Sequence, residues 1–283
     1  MHEGAPGNAD AARRDNADGA GAPQAGGAEP RADAAGPRAD AAARVSRFRA
    51  ARRDVGLAVL EGLHPHKHAL RFGAELLETW TDDAAALERL ARELAPDVTD
   101  ALLAHARSVD AAHFRELAPG PVDRVVSIAR RPVATAPAPD RPIVLLEEPT
   151  HHGNVGAVVR VAAAAGAAAV LTTGRHDPWH PSALRGSAGL HWALPVRRIE
   201  ADDLPQDRPL VAIDPEGEPA GDRLPAGAVL AFGSERRGLS RRLLDRAERR
   251  VAIPMRPGVS SLNLATAVAV ILYASGLQPG AME

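Results

Sequence analysis

Three short polar stretches carry residue types from which a reaction site could be built. The first is His151-His152-Gly153-Asn154-Val155-Gly156, followed by Arg160 inside an Ala-rich apolar run. The second is Gly233-Ser234-Glu235-Arg236-Arg237-Gly238-Leu239-Ser240, and the third is Ser260-Ser261-Leu262-Asn263, soon after Ile253-Pro254-Met255. An arginine in so apolar a run either snorkels to solvent or points at an anion. Asn154 either caps the helix that follows or holds its amide toward a ligand. Glycines in the second stretch permit positive φ and close ligand approach. The stretch is no P-loop, because it lacks Gly-Lys-Ser/Thr and Glu235 would repel phosphate. A carboxylate in such a turn suits a hydroxyl or an amine, or it caps the helix starting at Ser240. Ser261 and Asn263, two residues apart, either cap a helix or present both side chains to one site.

Regular elements must place these stretches. Strands are predicted at Ile143 to Leu146, Ala168 to Thr172, Leu210 to Ile213, Val229 to Phe232 and Val251 to Ile253. Helices are predicted at Val155 to Ala165, Pro181 to Gly186, Ser240 to Arg246 and Leu262 to Ala274. That alternation implies an α/β domain with a mostly parallel sheet and helices on both faces. Ligands in such sheets collect where loops leave the strand ends, and all three polar stretches fall there. A smaller α/β unit precedes it. Gly56 to Leu60, Glu75 to Thr79 and Val122 to Ile128 read as strands, His64 to Phe72 as a helix, Asp82 as the cap of a second helix, and Thr99 as the start of another. The Pro-rich segment PVATAPAPDRP divides the two units. The expected domains are therefore a disordered tail at 1–44, a small domain at 45–131, a linker at 132–141 and a large domain at 142–283. The tail is Ala, Gly, Pro, Asp and Arg with almost nothing to bury.

Composition narrows the chemistry. The chain has 283 residues, 45% hydrophobic and 25% charged, and no cysteine, so disulfides, thiolate metal sites and cysteine nucleophiles are excluded. No apolar run approaches the ~18 residues of a membrane span, and the N-terminus shows no apolar signal segment. Cytoplasmic residence is the expectation, with no membrane partner. A net charge of −2 argues against non-specific coating of nucleic acid. Yet Arg236, Arg237, Arg241, Arg242, Arg246, Arg249 and Arg250 crowd one segment, and arginine forks suit phosphate. His64-Pro65-His66-Lys67-His68 is also basic; without carboxylate partners it reads as an RNA-facing loop rather than a metal site, and no metal is expected.

Taken in order, the three stretches resemble the SpoU/TrmH family of RNA ribose 2′-O-methyltransferases, within the SPOUT superfamily. Asn154, Gly156 and Arg160 match its N-x-G-x-x-x-R pattern, and Gly233 to Leu239 match G-S-E-x-x-G-L. Ile253-Pro254-Met255 and Ser261-Leu262-Asn263 match its I-P-M and S-L-N, and Ala183-Leu184-Arg185-Gly186-Ser187-Ala188-Gly189 matches a weaker feature. The resemblance covers about 141 to 277. Leu60-Glu61-Gly62-Leu63-His64 is similar to the L30e-like substrate-binding domain that precedes many members, although the added histidines and lysine depart from its pattern.

The resemblance implies a trefoil-knotted α/β fold, against the general rarity of knots. It implies S-adenosylmethionine held by main chain around Leu230, Gly233, Ile253, Met255 and Leu262, and a homodimer with the C-terminal helix at the seam. Val268, Val270, Ile271 and Leu272 fit a helix buried on nearly all sides. The implied reaction is methyl transfer to a ribose 2′-OH, with Arg160 central, Asn154 holding the ribose or phosphate, and Glu235, Ser261 and Asn263 completing a polar wall. The family proposal makes the arginine a base; anchoring the neighbouring phosphate is easier for a guanidinium. Arg236, Arg237, Arg241 and His64 are the expected RNA contacts, and only RNA, not DNA, carries the acceptor hydroxyl. Structured 23S rRNA is the expected substrate, with tRNA as the alternative. An inactive RNA-binding protein of the same fold is a further reading, against which the retained polar residues argue. A dinucleotide-binding oxidoreductase fails because no G-x-G-x-x-G follows a strand.

Overall fold

The computed structural model describes residue 1 and residues 37–274, apart from 121, 134 and 220–223. Two sheets organise the chain. The first is built from β1 (Leu57–Glu61), β2 (Leu76–Thr81), β3 (Ala106–Ser108) and β4 (Val126–Arg130), in the order β1-β4-β2-β3. Helices α1 (Pro37–Ala51), α2 (Leu63–Arg71), α3 (Ala84–Leu94), α4 (Thr99–His105) and α5 (Ala111–Leu117) cover it. Phe48, Trp80, Phe114 and Leu117 pack in one core cluster of this unit. Leu60, Leu63, Leu87 and Leu102 belong to a larger cluster that runs on into the second sheet.

A buried polar chain pins α2 to its sheet. His66 Nδ1 lies 2.7 Å from the Gly62 carbonyl and its Nε2 lies 2.7 Å from Ser127 Oγ, which contacts Thr79 Oγ1 at 2.8 Å. Burial outweighs the bond to Gly62 and lowers the His66 pKa to about 4, so the ring is neutral.

Several expectations need correction here. Helix α1 begins at Pro37, inside the stretch read as tail; the rest of that tail, residues 2–36, lies outside the described residues. Its buried seam, Val45, Phe48 and Ala51, falls at three-residue steps beyond residue 44, so the Ala-rich first turns show no pattern of their own. The α3 cap is Asp83, which accepts from Ala86 N at 2.9 Å, whereas Asp82 pairs with Arg124. Strand β4 starts at Val126, after Arg124 turns the chain at φ 56°. His64 sits on α2, in keeping with the helix read over His64 to Phe72 and not with the loop read for the basic run.

The second sheet is all parallel, in the order β10-β8-β9-β5-β6-β7. Its strands are β5 (Ile143–Leu146), β6 (Ala169–Thr172), β7 (Val196–Arg198), β8 (Leu210–Pro219), β9 (Val229–Phe232) and β10 (Arg249–Ala252). Helices α6 (His152–Ala165), α7 (Pro181–Gly186), α8 (Arg241–Arg246) and α9 (Leu264–Ala274) flank it. The inner strands β5, β6 and β9 are buried throughout, as unbroken apolar runs in a covered parallel sheet should be. Alternate residues serve opposite faces: Val144, Leu146, Leu230 and Phe232 pack with α6 and α9 residues, while Ile143, Leu145, Val229 and Ala231 pack with Leu239 and Leu243.

Glycines set the closest approaches. A Cβ on Gly156 of α6 would lie 2.2 Å from the Ala183 carbonyl oxygen and 2.9 Å from both Gly186 Cα and Ser187 N. The α6–α7 crossing therefore requires a bare backbone, which explains the Gly of N-x-G and the small residues of the Ala183–Gly189 feature. The Pro-rich linker has few amides to donate, and its carbonyls are held instead by Arg208, which donates to Pro137 O, Ala138 O and Arg141 O.

Candidate active site

Strand β9 ends at Phe232, and residues 234–238 fold back as a closed loop. Ser234 and Gly238 exchange backbone hydrogen bonds at 3.2 and 3.0 Å, and Gly238 adopts φ 66°. A Cβ on Gly233 would strike the Gly238 carbonyl carbon at 2.0 Å, so the loop closes only over glycine. This turn carries Glu235 across to the start of α6. Its Oε1 accepts from Asn154 Nδ2 at 2.7 Å, and its Oε2 accepts from Thr150 Oγ1 at 2.7 Å and Thr150 N at 3.2 Å. Asn154 Oδ1 in turn accepts from Asn263 Nδ2 at 3.3 Å.

The three polar stretches thus meet in one chain, Thr150–Glu235–Asn154–Asn263. Partial burial disfavours the Glu235 charge, but hydrogen bonds from Asn154 and Thr150 outweigh it and hold the pKa at about 2. The group is a fixed carboxylate, too acidic and too fully engaged to take up a proton at neutral pH.

The alternatives left open by the sequence are now decided. His151 holds the cap position of α6 and Asn154 is the third helical residue, so Asn154 is no cap. Ser240 caps α8 through its own Oγ, so Glu235 is no cap either. Asn263 does both jobs: its Oδ1 accepts from Ala265 N at 3.0 Å and Thr266 N at 3.4 Å while its amide reaches Asn154.

Beside this chain lies a cleft of about 590 Å³. Gly233, Ile253, Met255 and Leu262, four of the residues the resemblance puts around the cofactor, line it together with Glu235, Arg236, Ser261 and Asn263. Leu230 does not; its side chain is fully buried in β9, and its position in the middle of the sheet is the reason. Further lining residues were not singled out as site residues in the sequence, among them Asp214, Pro215 and Phe232. The first two arrive because β8 breaks its pairing with β10 between Ala212 and Glu218. The Asp-Pro pair after an apolar run was the available signal.

Arg160 is placed elsewhere. It is exposed, does not line the cleft, and its charge acts on His64 and His68 of α2. Six residues along a helix rotate the side chain by about 240° and advance it by about 9 Å, so Asn154 and Arg160 cannot face the same space within one chain. The expected RNA contacts also divide. Arg236 lies at the cleft, Arg237 faces Glu148 at 3.5 Å, Arg241 pairs with Asp245, and His64 is remote on α2. Next to Asn154, the His152 ring stacks on His180 at 4.0 Å, and burial followed by the neighbouring imidazoles lowers its pKa.

Comparison with known proteins matches this geometry to one family. Residues 141–273 match the model of the SpoU rRNA Methylase family. A tRNA (cytidine(34)-2′-O)-methyltransferase of Burkholderia pseudomallei is 32% identical over 148 residues, which is 48% of this chain and 95% of that protein. The chain belongs to the SpoU methylase family. A 23S rRNA (uridine(2479)-2′-O)-methyltransferase of Streptomyces viridochromogenes is 28% identical over 80% of this chain and 84% of its own length. The crystal structure of the SpoU methyltransferase AviRb from Streptomyces viridochromogenes, in complex with AdoMet, superposes with a TM-score of 0.68 at 26% identity, covering 82% of this chain and 96% of that one. The chain spans about half, 51%, of the length of a Synechocystis tRNA/rRNA methyltransferase that is 36% identical over 141 residues, 46% of this chain.

Proposed function

We propose that this SpoU-family chain transfers a methyl group from S-adenosylmethionine to a ribose 2′-OH of structured RNA, with 23S rRNA ahead of tRNA as the substrate. The observation that carries the reading is the Thr150–Glu235–Asn154–Asn263 chain standing at the wall of a main-chain cleft. The cleft fits the cofactor: its volume is in the range of small-molecule sites. Ile213, Phe232, Ile253 and Leu262 offer apolar walls, Asp214 offers a carboxylate for hydroxyls, and Gly233 lets the 234–238 loop close at the edge of the cleft. S-adenosylmethionine, when bound, supplies an electrophilic methyl group on a sulfonium. We also propose that the second sheet is threaded as a trefoil knot and that the chain works in the cytoplasm. No helix among the described residues is long and apolar enough to cross a membrane.

The residues divide the work. Glu235, ionised at neutral pH, accepts from the Asn154 amide and sets its orientation. Ser261 at the cleft and Asn154, held beside it by Glu235 and Asn263, then position the ribose, and Arg236 at the rim meets phosphate. Positioning of this kind can supply several of the ~7–11 kcal/mol available to well-oriented reactants.

Arg160 supplies the anchor for the phosphate beside the reacting hydroxyl, and a homodimer is the arrangement that brings it there. Helix α9 buries Val268, Ile271 and Leu272 within its own chain but leaves Val270 and Tyr273 exposed, so the helix is not buried on every side by one copy. We place the dimer seam on that face and on α6, so that Arg160 of one copy serves the cleft of the other. The N-terminal unit, L30e-like in this reading, presents the RNA.

The test is incubation with labelled S-adenosylmethionine and separated rRNA and tRNA, followed by alkaline hydrolysis. A 2′-O-methyl group blocks cleavage at its own nucleotide, so label in an alkali-resistant dinucleotide from rRNA is expected. Label released as mononucleotide would place the methyl on a base and overturn the ribose reading. Resistant label from tRNA alone would replace the substrate.

A further inference from the structure

At the edge of the second sheet opposite β10, a groove of about 770 Å³ runs between the edge strand β7, the linker and the α1–β1 turn. Two of the chain's three tryptophans line it, in a protein only 3% aromatic. Trp179 is buried and donates its indole N–H to the Val196 carbonyl at 3.0 Å. Trp192 is half-buried, stands edge to face against Trp179 at 5.0 Å, and donates to the Arg130 carbonyl at 3.3 Å. Its ring is therefore held rigidly at the groove. Val55 and Val133, among the most exposed hydrophobic side chains of the described residues, extend the apolar surface.

The charge is one-sided. Arg53, Arg197 and Arg198 line the groove and, among the described residues, form no ion pair. Arg52 and Arg131 are also present but are engaged, with Glu61 and Asp177 respectively. Asp177, the carboxylate within the groove, is taken up by both Arg131 guanidinium nitrogens at 3.1 and 2.7 Å. Glu200 and Asp203 share an adjoining hollow with Arg197 and Arg198 but, among the described residues, form no ion pair with either. Three uncompensated arginines around a fixed indole and open aliphatic side chains are the elements of a single-strand nucleic-acid site, in which a base stacks on the aromatic and phosphates meet guanidinium groups. Strand β7, which borders the groove, stands three strand spacings, about 14 Å, from β9, which ends at the cleft.

We propose that this groove binds a single-stranded segment of the RNA substrate, one base stacked on Trp192 and its flanking phosphates on Arg53, Arg197 and Arg198. This proposal rests on the reading of the chain as an RNA methyltransferase, and its test separates the two. A fluorescent hexauridylate is titrated against the full chain and the Arg197→Ala/Arg198→Ala double variant across a salt series, with S-adenosylmethionine affinity and methyl transfer to rRNA measured in parallel. Both arginines are exposed, so the variant should fold. Loss of two phosphate contacts should flatten the log–log salt slope by about 1.4, since single strands give about 0.7 per contact. Trp192→Ala should weaken binding roughly ten- to hundredfold, and Trp192→Phe should restore part of it.

Equal affinity and equal slope for wild type and double variant would overturn the groove, whatever the methyl transfer shows. Preference for polyglutamate over RNA would also overturn it, in favour of an acidic protein partner. Oligonucleotide binding that follows Arg197 and Arg198, without methyl transfer to any RNA, would uphold the groove and defeat the catalytic reading alone.

Discussion

Gly156→Ala should weaken the protein, although alanine is the better helix former. The added methyl carbon would sit 2.2 Å from the Ala183 carbonyl oxygen, with Gly186 Cα and Ser187 N at 2.9 Å. All three are backbone atoms, so relief requires α6 and α7 to part by about 1 Å rather than a side chain to rotate. Overpacking of this kind costs about 1–3 kcal/mol, against a propensity gain of up to ~1 kcal/mol. A net loss of up to about 2 kcal/mol follows, or a melting midpoint lower by up to ~8 °C for a chain of this size. Gly153→Ala, one turn earlier in the same helix, is the control: its Cβ would meet nothing within 4 Å, so it should be neutral or slightly stabilising. Urea and thermal unfolding of both variants measure the pair. The displacement should also disturb Asn154, whose bond to Glu235 is 2.7 Å, and a 1 Å misplacement can cost ~10²-fold in rate. Equal stability of the two variants would refute the close-crossing argument.

Other outcomes follow from the same geometry. The Glu235 carboxyl should titrate at about 2, so its contribution to stability is complete above the ordinary 4.5 and is lost progressively as pH falls from there through the folded value; a carboxyl carbon NMR titration with a midpoint near 4.5 would contradict this. Glu235→Gln replaces one acceptor oxygen by a donor facing Thr150 or Asn154, and should lower methyl transfer roughly ten- to hundredfold. His66 and His191 are buried, and burial lowers both pKa values to about 4. The unfolded chain gains these protons first, so stability should be level above pH 6.5 and decline from there towards 4; a flat profile between 6.5 and 4.5 opposes it. Mixing Arg160→Ala chains with Glu235→Ala chains should regain about a quarter of wild-type activity, from one intact composite site per mixed dimer; no recovery would place Arg160 in its own chain's site.

Much of the site was legible because its residues lie in short local patterns at element ends. Asn154, Glu235 and Asn263 were identifiable by type and spacing, and the fold brings them within hydrogen-bond reach. The inner strands were legible for a related reason: β5 and β9 are buried on both faces and read as unbroken apolar runs. What local pattern could not carry was direction. The helix over Val155 to Ala165 was legible, and its period already turns Arg160 about 240° from Asn154; the motif alone does not say which copy of the chain the arginine serves. Leu230 looked like a cofactor neighbour by position, yet the sheet encloses it. The contribution of Asp214 depends on an irregularity between β8 and β10, a pairing between strands remote in sequence. Helix α1 was hidden because its first turns share the composition of the tail, and its burial depends on Trp80 and Phe114 from elsewhere in the chain.

The measurement bearing most directly on the account is single-turnover methyl transfer to rRNA by wild type and Arg160→Ala, with S-adenosylmethionine affinity determined on the same preparations. Arg160 lies outside the cofactor cleft, so the account expects affinity to stay within about twofold while transfer falls by ~10²-fold or more, as for loss of a group that acts only in the transition state. Weakened cofactor binding with transfer retained at saturating cofactor would contradict both the placement of Arg160 and its role.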